Sequence, residues 1–215
     1  MTGPHKADFL GREPIFPLLL KMGIPAAVGM MVNALYNVVD TIFVGRGVGP
    51  LAIGALSIVF PLQMTVSAFA QALGVGAASV VSRRLGEQRP DDAARAIGTA
   101  YLSVMVVTAA LVSAVFLFTP QILGLFGATD AIMPYALRYT RIVAAGFFFF
   151  SMSMTASNLV RAEGNARAAM KGMLLGAGLN TALDPLFIFG FHLGVEGAAL
   201  ATVISQAVST IYLFS

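Results

Sequence analysis

Residues 22–44 read MGIPAAVGMMVNALYNVVDTIFV, an apolar run whose single charge is Asp40. At 1.5 Å per residue a helix of this run reaches roughly 34 Å, enough to cross the hydrocarbon core of a bilayer. A second run, residues 172–191, reads GMLLGAGLNTALDPLFIFGF and again carries one charge, Asp184. A carboxylate inside a spanning helix costs about 2.5–3.5 kcal/mol on insertion scales, so such residues are rare and mark ion paths or substrate sites. The two aspartates therefore make the chain a candidate transporter.

Composition points the same way. Of the 215 residues, 58% are hydrophobic and 11% charged, and the mean hydropathy is +0.85, whereas a soluble domain carries about a quarter charged residues. A soluble enzyme is excluded on this balance, and the expectation is no enzyme at all: no nucleophile, metal cluster or phosphate loop competes. The glycines from Gly45 to Gly49 lack a following Gly-Lys-Ser/Thr and read as a turn. With no cysteine, disulfides and thiolate metal sites are excluded too. No cofactor is expected.

Charge-free intervals and Gly/Pro breaks predict an all-α bundle of six membrane helices in one domain, residues 1–215, with spans at 16–44, 51–81, 93–118, 135–160, 168–191 and 197–215. Thr119-Pro120, Gly124 and Gly127 are read as the stop of the third helix near Phe118. Lys6, Arg12 and Lys21, the four arginines Arg83, Arg84, Arg89 and Arg95, and Arg161, Arg167 and Lys171 fall before helix one or in the second and fourth connections. Only Arg46, Arg138 and Arg141 fall in the others. That bias predicts a multi-pass protein of the cell (inner, cytoplasmic) membrane with its N-terminus in the cytoplasm. The basic loops are topology signals rather than a nucleic-acid site, so nucleic acid is not an expected partner. The lipid bilayer is one.

Polar spacing is the more specific signal. Asn33, Asn37 and Asp40 share one helical face with Tyr36 beside them, Asn180 and Asp184 repeat the spacing, Thr202 and Gln206 do so on helix six, and Gln63, Ser67 and Gln71 form a stripe on helix two. These faces meet other helices or a cavity, not lipid. Interhelical hydrogen bonding accounts for the amides and hydroxyls as well as a cavity does. The aspartates are different, because neither helix supplies an intramembrane Lys or Arg. Each must take up a proton or bind a cation. Pro25 and Pro61 interrupt helices one and two and bend them.

NALYNVVDTIFVG (residues 33–45), GPLAIGALS (49–57), LVRAEGN (159–165), LNTALDP (179–185) and GVEGAA (194–199) together resemble the multidrug and toxic compound extrusion (MATE) transporters, and among them the DNA-damage-inducible F type. The resemblance runs over essentially the whole chain. It implies one six-helix lobe, the N-terminal one, of a twelve-helix transporter whose two lobes flank a central cavity. It also implies a secondary active antiporter that exports amphipathic, often cationic, drugs in exchange for protons or sodium. Asp40, Asn180, Asp184 and Thr202 match the cation or proton site of that lobe, the one place where a sodium ion would sit. Tyr139 and Asn158 match helix-four cavity positions, joining Asn33, Tyr36, Asn37, Gln63, Gln71 and Gln206 as the expected substrate-cavity set, and Pro25 matches the helix-one proline proposed to bend. Because the sequence stops inside an apolar sixth span, the missing C-terminal lobe, or a second copy of a half-size chain, is an expected partner. Rival readings are a lipid-linked precursor flippase, which would want cationic cavity residues, and a non-transporting scaffold or channel subunit. Substrate identity and the choice between H+ and Na+ are not written in these residues.

Overall fold

Gly49 adopts φ +114, a left-handed conformation natural to glycine, and Pro50 follows at the first position of the next helix, where its missing N–H costs nothing. Such punctuation divides the computed structural model, which describes residues 14–215, into six long helices. They are α1 (Ile15–Gly47), α2 (Pro50–Gly86), α3 (Pro90–Leu125), α4 (Met133–Ala162), α5 (Ala166–Pro185) and α6 (Gly194–Phe214), with a single π-helical turn, Leu186–Gly190, closing α5. No strand occurs among the described residues. Lys6 and Arg12, read above as topology charges, lie outside them.

The first four helices run past both of their expected ends, and α5 and α6 begin early. Hydropathy marks the hydrocarbon layer, while hydrogen bonding carries a helix on into the charged zone: α2 continues through Arg83 and Arg84, and α3 begins at Pro90 with Asp91 and Asp92 in its first turn, where the helix dipole favours acidic groups. The third helix does not stop at Phe118. Phe118 leaves helical geometry (φ −120, ψ 21) two residues before Pro120, and the helix then resumes to Leu125. Proline removes one hydrogen bond and crowds the preceding turn without preventing a further turn, and the Thr119 hydroxyl donates to the Val115 carbonyl at the bend. The fifth span also departs from a plain helix to 191: Pro185 ends α5, and the chain widens into the π turn.

Short connections fold the helices back on one another. α4 is the central element, packed against α2, α3 and α6, whereas α1 rests mainly on α5. The difference is large: 61% of the apolar window of α4 is buried against 6% for α1. Helices approach closely through small residues, as membrane interfaces require; a Cβ on Gly146 would run into the Val203 side chain, and one on Gly29 would stand 2.6 Å from the Met173 sulfur. One end of the bundle holds the α2–α3 and α4–α5 turns with most of the arginines and is called the basic end below. The main apolar core lies toward the opposite end, around Val44, Val59, Leu123, Val143, Phe147 and Ile188. A smaller cluster, Val81, Ala93 and Leu159, closes the basic end. Between them the interior is lined with hydroxyl, amide and carboxyl groups.

Candidate functional site

Asp184 is fully buried on α5 and Asp40 is 7% exposed on α1, and their carboxyl groups meet across the α1–α5 seam. Asn180 sits one helical turn before Asp184, so its amide reaches the same point. Asn180 Nδ2 lies 3.5 Å from Asp184 Oδ1 and 3.4 Å from Thr202 Oγ1 of α6, the long limit for such a bond. Asp40 Oδ1, Asn180 Oδ1 and Asp184 Oδ2 find no protein donor. Buried acceptors left in this way are costly. Their oxygen-rich grouping is suited either to protons on the carboxyls or to a hard cation held by carboxylate, amide and hydroxyl oxygens. Among the described residues no cluster of three or more His, Cys, Asp or Glu is present, so any ion held here relies on neutral oxygens as well.

Two adjoining cavities lead away from this cluster. The first, about 260 Å³, is walled by Asp40, Tyr36, Asn37, Gln63, Tyr139 and Thr202 among others. The second, about 220 Å³, shares Tyr36, Asn37, Phe60, Gln63 and Thr202 with it and extends past Asn33, Asn180 and Gln206. The spacing-derived faces of α1, α5 and α6 thus converge on one space. Asp184 lines neither cavity and stands behind Asn180 and Thr202. Tyr139 is buried on α4, and its hydroxyl meets Gln63.

Gln71 and Asn158 are placed elsewhere. Neither lines these two cavities; Asn158 Nδ2 donates to Gln71 Oε1 at 3.0 Å, and Arg161 Nη2 donates to Asn158 Oδ1 at 2.6 Å. The helical stripe of α2 turns Gln71 toward α4, where an amide partner waits. Pro25 is buried in α1 beside Gly29, on the seam with α5. Sequence reasoning passed over the hydroxyls of Ser153, Ser157, Ser205 and Ser209, which line the second cavity. Their signal was the i, i+4 spacing of 153–157 and 205–209, hidden because serine barely alters hydropathy. Missed as well were the aromatic and thioether faces of Phe60, Phe147, Phe150, Met64, Met154 and Met173, which read as ordinary spanning residues.

The MatE family model matches residues 25–186. The multidrug export protein MepA of Staphylococcus haemolyticus is 30% identical over 210 residues, covering 95% of this chain and 45% of that protein. The FAD transporter of Shewanella oneidensis is 29% identical over 200 residues, covering 91% and 44%. An outward-facing multidrug resistance MATE family transporter of the MOP superfamily superimposes with a TM-score of 0.91 at 30% identity, over 99% of this chain and 47% of that one. The chain thus spans about half the length of the relatives it matches.

Proposed function

The chain belongs to the MatE family, and on that footing we propose that it forms the N-terminal lobe of an antiporter exporting amphipathic organic cations in exchange for protons or sodium. That it is a multi-pass membrane protein follows from its six apolar helices and its relatives. The observation that carries the exchange reading is the meeting of Asp40 and Asp184 with Asn180 and Thr202, leaving three buried oxygens without protein donors beside a polar cavity. Filling the cluster with a proton or cation changes the charge beside the cavity. A cationic cargo then feels a different attraction in the two occupancies, and a differential affinity of this kind is what shifts inward-open and outward-open populations.

Cargo class is argued from the walls. Flat aromatic and thioether surfaces at Phe60, Phe147, Phe150 and Met154 favour an apolar ring system, and the nearby carboxylates favour positive charge. The relatives are described as moving multiple drugs in one case and FAD in the other, so relatedness by itself does not set the cargo. No lysine or arginine lines either cavity among the described residues, which disfavours a pyrophosphate-lipid flippase. The order of the motifs from NALYNVVDTIFVG to GVEGAA supports the DNA-damage-inducible F branch. The excess of basic residues at one end supports a cytoplasmic-membrane location with the N-terminus and the basic end in the cytoplasm. A second lobe, from the remainder of a longer protein or from another copy, completes the cavity.

The test is efflux of a fluorescent organic cation from vesicles containing the full-length parent, with proton and sodium gradients imposed separately. Gradient-driven export should be lost in Asp40→Asn and in Asp184→Asn while both variants still fold. Export by both variants at the parent's rate would sink the proposal.

A further inference from the structure

The polar wall does not end at the aspartates. From Asn180 and Thr202 it continues along α6 through Ser205 and Ser209, and it meets Ser153 and Ser157 of α4 and Ser67 of α2 at the floor of the second cavity. Ser205 Oγ has no protein partner, and Ser209 is hydrogen-bonded to Gly172 and Ser153. At 1.5 Å per residue, roughly 33 Å of α4 separate Tyr139, at the level of Asp40, from Arg161 in its last turn. The wall therefore extends well toward the basic end, where an ion leaving the site inside this lobe would emerge.

Directly behind the floor stands a hydrogen-bonded amide pair. Asn158 follows Ser157, and its Nδ2 donates to Gln71 Oε1 at 3.0 Å and to the Met154 carbonyl at 3.1 Å. Gln71 lies one turn beyond Ser67. With both donor bonds made, the amide is oriented and must turn its oxygen to Arg161, whose Nη2 donates to it at 2.6 Å. Gly74 makes room for this arrangement, since a Cβ there would stand 2.8 Å from Asn158 Nδ2. The bonded partner is a neutral amide, so this bond holds the guanidinium in place without neutralising it. A fixed positive charge at the end of a polar passage is an electrostatic barrier to cations and a weaker one to neutral groups.

We propose that Arg161, positioned by Asn158 and Gln71, is the barrier that stops the coupling ion from slipping through the lobe between the cavity floor and the basic end, so that ion movement stays tied to cargo movement. This rests on the antiport reading above. The experiment uses the full-length parent in liposomes without cargo and records proton and sodium leak under an imposed gradient, followed by the ratio of ions moved to organic cation exported. Arg161→Gln should raise the cargo-free leak about tenfold or more, the change given by removing about 1.4 kcal/mol of barrier, and should lower the coupling ratio while binding of the organic cation persists. Arg161→Lys, which keeps the charge, should restore a tight membrane. Gln71→Ala, which keeps the arginine but loosens its anchor, should leak at an intermediate rate.

Parent-like tightness in R161Q, or equal leak in R161K and R161Q, overturns the barrier while leaving the antiport reading intact. Absence of ion-driven export by the parent itself overturns the antiport reading and the barrier with it. Should R161Q not fold, Q71A decides, and a tight Q71A membrane overturns the proposal.

Discussion

Gly197 of α6 lies against the backbone of Phe187, in the π turn three residues beyond Asp184, and adding a methyl group there is the most direct test of how the site is framed. A Cβ at position 197 would sit 3.0 Å from the Phe187 carbonyl carbon, 3.1 Å from its oxygen and 3.1 Å from its Cβ. Comfortable separations are about 3.5–4.0 Å, so the π turn has to withdraw by about 0.5 Å. Two of the three atoms are backbone, and the Phe187 oxygen also accepts from Leu193 N–H at 3.0 Å, so retreat strains a bond as well as packing. Overpacking of this kind costs about 1–3 kcal/mol. Alanine also gains up to about 1 kcal/mol of helix propensity over glycine. That gain cancels when Gly197→Ala is compared with Gly98→Ala, which meets nothing within 4 Å. The expected difference is therefore about 1–3 kcal/mol, or a separation of about 1–3 °C in thermal unfolding of a detergent-solubilised parent about twice the length of this chain. Because Asp184 rides on the same segment, under the proposed exchange Gly197→Ala should also shrink any stabilisation by the exchanged ion, read as the shift in Tm with added sodium or lowered pH. Equal melting of the two variants would refute the close approach.

Two smaller effects are expected. Ser209 bonds the Gly172 carbonyl at 2.9 Å and Ser153 at 3.2 Å; Ser209→Ala should lower stability by about 0.6 kcal/mol and at most about 1.7, the range for hydrogen bonds between membrane helices, and an unchanged melting temperature would remove it as a clasp between α4, α5 and α6. Asn165 caps α5 by accepting from Ala168 N–H at 3.2 Å; Asn165→Ala should cost about 1 kcal/mol and Asn165→Asp much less, and identical melts for the two would show that the cap contributes nothing.

Six spans and two intramembrane carboxylates were legible because lipid imposes a coarse code, in which apolar length gives the span and a lone charge stands out. The periodicity of Asn33, Asn37 and Asp40 was legible for the same reason, since one polar face of a spanning helix has to turn inward. Other features were written in contacts rather than in pattern. In LNTALDPLF, Pro185 signals a disturbed helix but not whether it stops or widens into a π turn, and the Gly197–Phe187 contact beside that turn comes from α6, far along the chain. Nor does the stripe Gln63, Ser67, Gln71 say which amide faces the cavity, because Gln71 is claimed by Asn158 on another helix. The bend at Phe118 was visible in the Thr-Pro pair, but a stop and a kink look alike until the turns after the proline are seen to re-form. The serine wall stayed hidden because hydroxyls are nearly neutral in hydropathy and gain meaning only when Ser153 and Ser209 are brought together.

The placement of the two carboxylates bears on how an ion acts under the proposed exchange. Asp184 belongs to α5, which is tied to α6 through Asn180–Thr202 and Gly172–Ser209, while Asp40 belongs to α1, the helix with the least buried span. When both groups are ionised they repel, and at short range in a poorly screened interior that repulsion amounts to several kcal/mol. The force acts equally on both helices, but they do not yield equally: α5 is held by its neighbours, and α1 is held chiefly by α5 itself. A proton or cation between the carboxyls removes the repulsion and draws Asp40 back onto the seam near Val44; its loss works against the same seam. Under the proposed exchange, ion occupancy is thereby felt first by the helix that contributes Asn33, Tyr36 and Asn37 to both cavity walls, so the groups that meet the cargo are the ones moved by the ion.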